Sequence, residues 1–198
     1  MNSKSPSYTL ILASTSPYRK MLLQRLGLDF TCQAPRMDET PLPGESAAHL
    51  TQRLAFGKAH SVACRHAGAL VIGCDQVAEF DGCIVGKPAD RNAAIAQLVA
   101  FSGRTIEFLS ALCVMRQETG FCEEATVSTR AHFREYTEAE AERYIELDQP
   151  LDCAGSIKSE AAGSVLLRAL ESSDPTALIG LPLIELCHML RKAGFRLP

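Results

Sequence analysis

The chain has 198 residues, 46% of them hydrophobic, and sets 20 Lys and Arg against 23 Asp and Glu for a formal charge of −3. That length fits one domain, or one domain of two lobes, with enough apolar residues for an adequate core. The near-neutral charge and the lack of a basic block exclude the electrostatic footprint of a duplex-binding protein, and no apolar run approaches the ~20 residues of a membrane span.

The N-terminal MNSKSPSYTLILAS has one Lys and a short apolar run soon followed by polar residues. It is too short for a secretion signal, so a soluble, cytoplasmic protein is expected. Tyr8–Ala13 reads as a buried strand. Ser16-Pro17 supplies an N-cap and a proline at the first helical position, and Leu22, Leu23 and Leu26 share one face of the helix that follows. Gly27 is placed to end it. Phe30–Ala34 reads as a second strand. Ser46 opens a long helix to about His66, with Ala47, Leu50 and Leu54 on one face. Ala69–Phe80 is a strand, Asp81-Gly82 a hairpin turn, and Cys83–Gly86 the return. Asp90 caps a further helix that Gly103 ends.

Arg104–Met115 and Ala125–Phe133 read as long strands joined by a polar turn at Thr119-Gly120. Thr137 and Glu140 have capping-box spacing for a helix to about Asp148. Val165–Leu170 is a strand, and Asp174-Pro175 opens a last helical stretch interrupted near Gly180-Leu181-Pro182. Strands alternate with helices, yet some are joined by hairpins. The pattern predicts an α/β fold with a mixed twisted sheet and flanking helices. The eight cysteines include no CxxC pair, which argues against a zinc site built from sequence-local pairs. Most are expected to be reduced and buried as small hydrophobes; a thiol-based sensor is the alternative.

Five stretches carry chemistry. In LASTSPYRK a strand ends, hydroxyl residues make the turn and a helix begins. Ser14, Thr15, Ser16 and Arg19 at a helix N-terminus suit a phosphate, although the same residues could merely cap the helix. Adjacent Asp38 and Glu39 lie in a proline-rich loop. They are either solvated or ligands of a hard divalent cation, which takes carboxylates together with phosphate oxygens. Arg53 and Lys58, five residues apart on the long helix, do not share a face; spacing does not say which one meets a cleft. Asp75 ends an apolar strand, where a carboxylate must be paired, hydrogen-bonded or metal-bound, and Lys87 follows the hairpin. An acid and a cation so delivered suit a metal–phosphate site as well as they suit a plain strand end. In LDCAGSIKSEAAG, small residues permit close approach of a ligand, and Lys158 and Glu160 share parity if the segment is extended.

Taken in order, LILASTSPYRKMLL, Asp38-Glu39-Thr40, RLAFGKA, VIGCDQV, GKP, LDCAGS and GLPL at Gly180–Leu183 resemble the Maf family of nucleoside triphosphate pyrophosphatases over nearly the whole chain. The resemblance implies two lobes around a central cleft, as in Maf and inosine triphosphate pyrophosphatase-like folds, with frequent homodimers. It also implies divalent-metal-dependent (Mg2+ or Mn2+) hydrolysis of a nucleotide to its monophosphate and pyrophosphate. The dTTP/UTP-type members carry SPRR, GADT and AGAY-x-IQG where this chain has SPYR, GCDQ and AGSIKSE. The combination here resembles the subgroup acting on 7-methyl-GTP.

On that resemblance Glu39 and Asp75 hold the metal, and Asp75 orients or deprotonates the attacking water. Ser14, Arg19, Lys58 and Lys87 neutralise phosphate oxygens. Tyr18 offers an aromatic face to the cationic methylated base, Gln76 sets the base or sugar, and a buried Glu160 accepts hydrogen bonds from guanine. The partner expected is thus a nucleotide, with no nucleic acid polymer and no membrane. Two other readings stay open at this point: dTTP/UTP or broad nucleotide specificity, and a nucleotide-binding regulator of cell division with little turnover.

Overall fold

Three consecutive apolar residues, Leu10–Leu12, form strand β1, and the eleven-residue stretch Leu70–Phe80, apolar from Leu70 to Cys74, forms β3 beside it in parallel register, with Leu10 opposite Leu70 and Leu12 opposite Ile72. The computed structural model describes residues 8–197; residues 1–7 of the stretch weighed above as a secretion signal, and Pro198, lie outside the described residues. Between these strands come helix α1 (Pro17–Gln24), the short strand β2 (Thr31–Cys32) and helix α2 (Ala47–Ala63). Strand β4 (Cys83–Val85), helix α3 (Arg91–Phe101), strands β5 (Thr105–Arg116) and β6 (Phe121–Phe133), helix α4 (Glu138–Asp148), strand β7 (Leu167–Ser172) and helix α5 (Leu183–Lys192) follow.

Among the described residues the seven strands form one sheet in the order β2-β1-β3-β5-β6-β7, with β4 paired to β3. β1 pairs in parallel with β2 and β3, while β3–β4 and β6–β7 are antiparallel. The mixed α/β sheet expected from the pattern of helices and hairpins is therefore what the chain adopts. No helix of the described residues is long and apolar enough to cross a membrane.

The chain divides into two units, Met1–Asp75 with Ser110–Val127 and Asp174–Pro198, and Gln76–Leu109 with Ser128–Ser173. The first has a core on both faces of its strands. Leu10, Leu12, Leu70, Ile72, Cys74, Leu112 and Val114 pack with Leu22 and Leu23 of α1 and Leu186, Met189 and Leu190 of α5. The alternate residues Ile11, Ala13, Val71, Ala111, Cys113 and Met115 pack with Ala55, Ala59 and Val62 of α2. Successive strand side chains point to opposite faces, so two buried faces require the unbroken apolar runs seen in the sequence. In the second unit Phe80, Phe101, Phe133 and Tyr136 form a chain of ring contacts with centroids 5.3, 5.5 and 6.3 Å apart.

Several ends are set by the local signals read from sequence. Ser16, Ser46 and Asp90 cap α1, α2 and α3, and Thr137 and Glu140 make the reciprocal capping box of α4. Asp81 and Gly82 have φ of 49° and 76°, as a two-residue turn between twisted strands requires. Three expectations are corrected. β7 begins at Leu167, because Ala162–Leu166 winds into a 3₁₀ segment first. β6 begins at Phe121, four residues early, because the turn closes tightly over Gln117–Gly120. Asp174–Gly180 is a run of turns, not helix. The Asp174 carboxylate instead accepts the backbone N–H groups of Ile184 (2.6 Å) and Glu185 (3.3 Å), capping α5 from ten residues upstream.

Gly73 fixes the spacing between β3 and α2. A Cβ built there would lie 2.2 Å from the Ala55 carbonyl oxygen and 2.6 Å from the Ala59 nitrogen. Both obstacles are backbone, so no side-chain rotation relieves them. Gly73→Ala is expected to cost about 1–3 kcal/mol or more in denaturant unfolding. Gly86→Ala, which would meet nothing within 4 Å, is the comparison. Equal stability of the two variants would contradict the close approach.

Candidate active site

The period of a strand places Asp75 before any side-chain chemistry is considered. Asp75 shares parity with Val71 and Gly73, so it stands on the α2 face; Cys74 points to the other. On α2, Lys58 follows Ala55 by three residues and precedes Val62 by four, which puts it on the same buried stripe. The Lys58 Nζ donates to Asp75 Oδ1 at 2.6 Å and lies 2.6 Å from Glu39 Oε2. The side chains of Lys58 and Asp75 are 7% and 9% exposed, whereas that of Glu39 is 52% exposed. One ammonium therefore bridges a buried carboxylate and a solvent-facing one.

Burial dominates the acidity of Asp75 and pushes its carboxyl above the ordinary value. Lys58 and Arg19 pull it back down, and the nearby charge of Glu39 adds to the rise. A carboxylate taken from water without a partner would cost several kcal/mol, roughly; the ammonium at contact distance offsets that cost.

The loop that carries Glu39 is fastened to α2 by Arg53. Its Nε and Nη2 donate to the two oxygens of Glu45 at 2.6 and 2.7 Å, and Nη2 also reaches the Thr40 carbonyl at 3.1 Å. The forked bond from Arg53 and the Leu42 N–H hold Glu45 down to about 2. Asp38 turns aside to accept the Thr40 N–H at 2.9 Å. Met37 sits against Gly57, where a Cβ would come within 2.5 Å of its methyl carbon. Sequence spacing could not choose between Arg53 and Lys58. The structure gives Lys58 to the buried acid and Arg53 to the loop.

On the opposite face, the Cys74 thiol and the Arg19 Nε both donate to the Gly180 carbonyl, each at 3.0 Å. Burial pushes the Cys74 thiol up to about 11, so it stays protonated and is a donor, not a thiolate ligand. Ser16 accepts the Arg19 N–H, and the buried Ser14 hydroxyl accepts the Ser16 N–H at 3.1 Å. Gly180 is held in turn because Thr176 donates to the Leu181 carbonyl and accepts the Leu183 N–H, each at 2.8 Å. Ser14, Arg19, Glu39, Lys58 and Asp75 all belong to the first unit, and Tyr18 lies half-buried on α1 there.

The second unit holds Gln76, half-buried, with Lys87 and Glu160, both exposed. Two expectations change here. Lys158–Ala161 closes a turn, with the Ala161 N–H donated to the Lys158 carbonyl at 3.1 Å, so the extended-strand parity of Lys158 and Glu160 does not hold. Glu160 is consequently exposed and not the buried carboxylate expected. Lys158 instead donates to the Asp148 carbonyl at 2.8 Å, at the C-terminal end of α4, where a cation is favoured.

The cysteines are also redistributed. Cys74 and Cys113 are buried, Cys153 and Cys187 half-buried, and Cys32, Cys64, Cys83 and Cys122 exposed, all as free thiols. Cys32 and Cys83 lie on the short strands β2 and β4, whose residues are covered on neither face or only partly. The β5–β6 hairpin brings Cys113, Cys122 and Glu124 within 4.8 Å of one another, a softer donor set than the carboxylates at Lys58. Asp75 and Glu39 offer only hard carboxylate oxygens, the donors that magnesium and manganese take.

Sequence reasoning missed the Arg53–Glu45 clamp, the thiol of Cys74 and the remote cap by Asp174. The small residues Ala55, Ala59 and Gly73 were a readable signal of close packing; the other three join residues with no characteristic spacing.

Residues 9–193 match the model of the Maf-like protein family. The chain is 53% identical over 188 residues to a 7-methyl-GTP pyrophosphatase of Ralstonia nicotianae, covering 95% of this chain and 97% of that one. It is 51% identical over 189 residues to the protein of the same name from Aromatoleum aromaticum, covering 96% and 97%. A third 7-methyl-GTP pyrophosphatase, from Cupriavidus metallidurans, is 51% identical over 186 residues, covering 94% of each chain.

Removing one partner of a buried ion pair leaves the other uncompensated. Lys58→Met is expected to lower unfolding free energy by about 3 kcal/mol, and Lys58→Met/Asp75→Asn to recover part of that loss. Strictly additive losses in chemical denaturation would contradict a coupled pair.

Proposed function

Because the chain belongs to the Maf family, we propose that it is a nucleoside triphosphate pyrophosphatase that hydrolyses 7-methyl-GTP to 7-methyl-GMP and pyrophosphate. The observation that carries this reading is the 51–53% identity, over nearly the full length of each chain, to proteins named for that activity. The buried Asp75 with its Lys58 and Glu39 partners gives the reading a chemical centre.

In the reaction a water oxygen attacks the α-phosphorus, the bond from that phosphorus to the α–β bridging oxygen breaks, and pyrophosphate leaves. The Asp75 carboxylate orients that water or takes its proton; burial, by raising the basicity of the carboxylate, favours the second role. Lys58 and Arg19 supply positive charge beside Asp75, where negative charge builds on the phosphoryl oxygens. The Ser14 hydroxyl at the start of α1 and the exposed Lys87 are assigned to further phosphate oxygens.

Asp75 and Glu39 would hold a hard divalent cation, magnesium or manganese. When bound, such a cation makes water more acidic and neutralises phosphate charge. Lys58 now occupies both carboxylates, so its ammonium marks where positive charge is wanted.

Base choice is assigned to three residues. Methylation at N7 makes guanine cationic, and the Tyr18 ring would attract that charge by about 0.5–2 kcal/mol. Glu160, exposed to solvent, is available to accept from the guanine N1–H and exocyclic amine. Gln76 directly follows Asp75 and would set the base or sugar. A cytoplasmic location suits a substrate of this kind.

The test is pyrophosphate release from 7-methyl-GTP, GTP, UTP and dTTP, with magnesium and with chelator. The expected result is fastest release from 7-methyl-GTP, loss of turnover with chelator, and a fall of at least ~100-fold in kcat for Asp75→Asn. Preference for UTP or dTTP would overturn the substrate assignment. Absence of turnover with every nucleotide would favour a binding role over catalysis.

A further inference from the structure

Among the described residues three non-glycine positions have positive φ, Asp81, Gln149 and Ser156, and of these Ser156 alone is buried. It is fully buried and has φ of +54°, directly after Gly155 at +65°. Glycine tolerates that region freely, whereas a serine there is strained, because its Cβ crowds the following carbonyl. Such strain persists only where the side chain gives something back. The Ser156 hydroxyl donates to Gln97 Oε1 at 2.5 Å.

Gln97 uses its other end as well. From the middle of α3 its Nε2 donates to the Gly86 carbonyl at 3.4 Å, and the Gly155 N–H points to that same carbonyl at 3.5 Å. One amide thus links the Gly86-Lys87-Pro88 loop to the Ala154–Ser156 turn. Both its oxygen and its nitrogen are engaged, which fixes the amide orientation. The turn has little room to shift, since a Cβ at Gly155 would lie 3.0 Å from the Phe108 ring. Beyond it, the Tyr144 hydroxyl accepts the Lys158 N–H at 2.8 Å, which leads into the turn of Glu160.

We propose that Gln97 is a positioning residue for nucleotide binding. It joins the loop of the phosphate cation Lys87 to the turn that precedes the base-recognising Glu160. The proposal rests on the roles given to Lys87 and Glu160 above. Gln97 touches neither the nucleotide nor the reacting atoms; it sets where the two binding segments stand. On this account Ser156 is retained at a strained position for its bond to Gln97.

Three variants test it in the full chain. Gln97→Met keeps the bulk and helix preference but removes both bonds. Ser156→Gly relieves the strain while deleting the hydroxyl. The third combines them. Expected for each single variant is a rise of about 10–100-fold in the KM for 7-methyl-GTP with kcat within about threefold, the pattern of lost uniform binding. Ser156→Gly should melt no lower than the wild type, so a loss of binding there is not a loss of fold. The double variant should be no worse than the worse single, because both remove one link. Hydrogen exchange of segments 83–88 and 153–158 should quicken together in Gln97→Met.

A KM within twofold of the wild type for either single variant overturns the assignment, as does an additive double variant or faster exchange in only one segment. If the wild type hydrolyses no nucleotide at all, the pyrophosphatase reading fails and this proposal falls with it. If the wild type turns over and the variants match it, only the role of Gln97 fails.

Discussion

The absence of a side chain at Gly73 is the constraint on which the site depends. With Ala55 and Ala59 facing it, the α2 backbone comes so near β3 that no Cβ fits between them. At that separation the long side chain of Lys58 reaches the strand two residues further along, where Asp75 emerges on the same face. A wider gap would leave a buried carboxylate with neither water nor ammonium, an arrangement costing several kcal/mol, roughly. The packing of small residues and the chemistry of the acid are one device.

Around this centre the first unit spends its polar groups on holding backbone. Arg53 and Glu45 grip the loop of Glu39, so that an exposed acid still has a defined position near Lys58. Asp174 and Thr176 hold the run of turns that ends at Gly180, whose carbonyl takes donors from both Cys74 and Arg19. A buried thiol kept protonated is a satisfied donor there, and its reactivity is low. The second unit follows the same practice in Gln97 and Ser156, and in Lys158, which completes the end of α4. Residues that look catalytic by type are often spent on backbone carbonyls, and the groups left facing solvent or a buried partner stand out by contrast.

Much of the fold was legible because its signals are local. Ser16-Pro17, Ser46, Asp90, the Thr137–Glu140 box and Asp81-Gly82 each act within four residues, and each did what its chemistry dictates. Failures came where the partner is remote. Asp174 reads as a local helix start, yet its carboxylate reaches Ile184. Val165 and Leu166 are apolar enough to pass for the start of a strand, yet they close the 3₁₀ segment Ala162–Leu166 and the strand begins only at Leu167. At the site, Asp75 and Lys58 could be nominated singly, but their contact spans 17 residues. Arg53 and Lys58 stand about 140° apart around the helix, which excludes a shared role without assigning either. The ordered set of motifs pointed to the Maf family, because several weak signals in fixed order are jointly specific.

The central claim is that the two carboxylates now sharing Lys58 form the cation and phosphate end of the site. The most direct measurement is an anomalous difference map from crystals grown with manganese and 7-methyl-GMP. The account predicts a manganese peak coordinated by the carboxylates of Asp75 and Glu39, with the nucleotide phosphate against it. Manganese bound elsewhere, or a nucleotide phosphate seated away from Asp75, would contradict it.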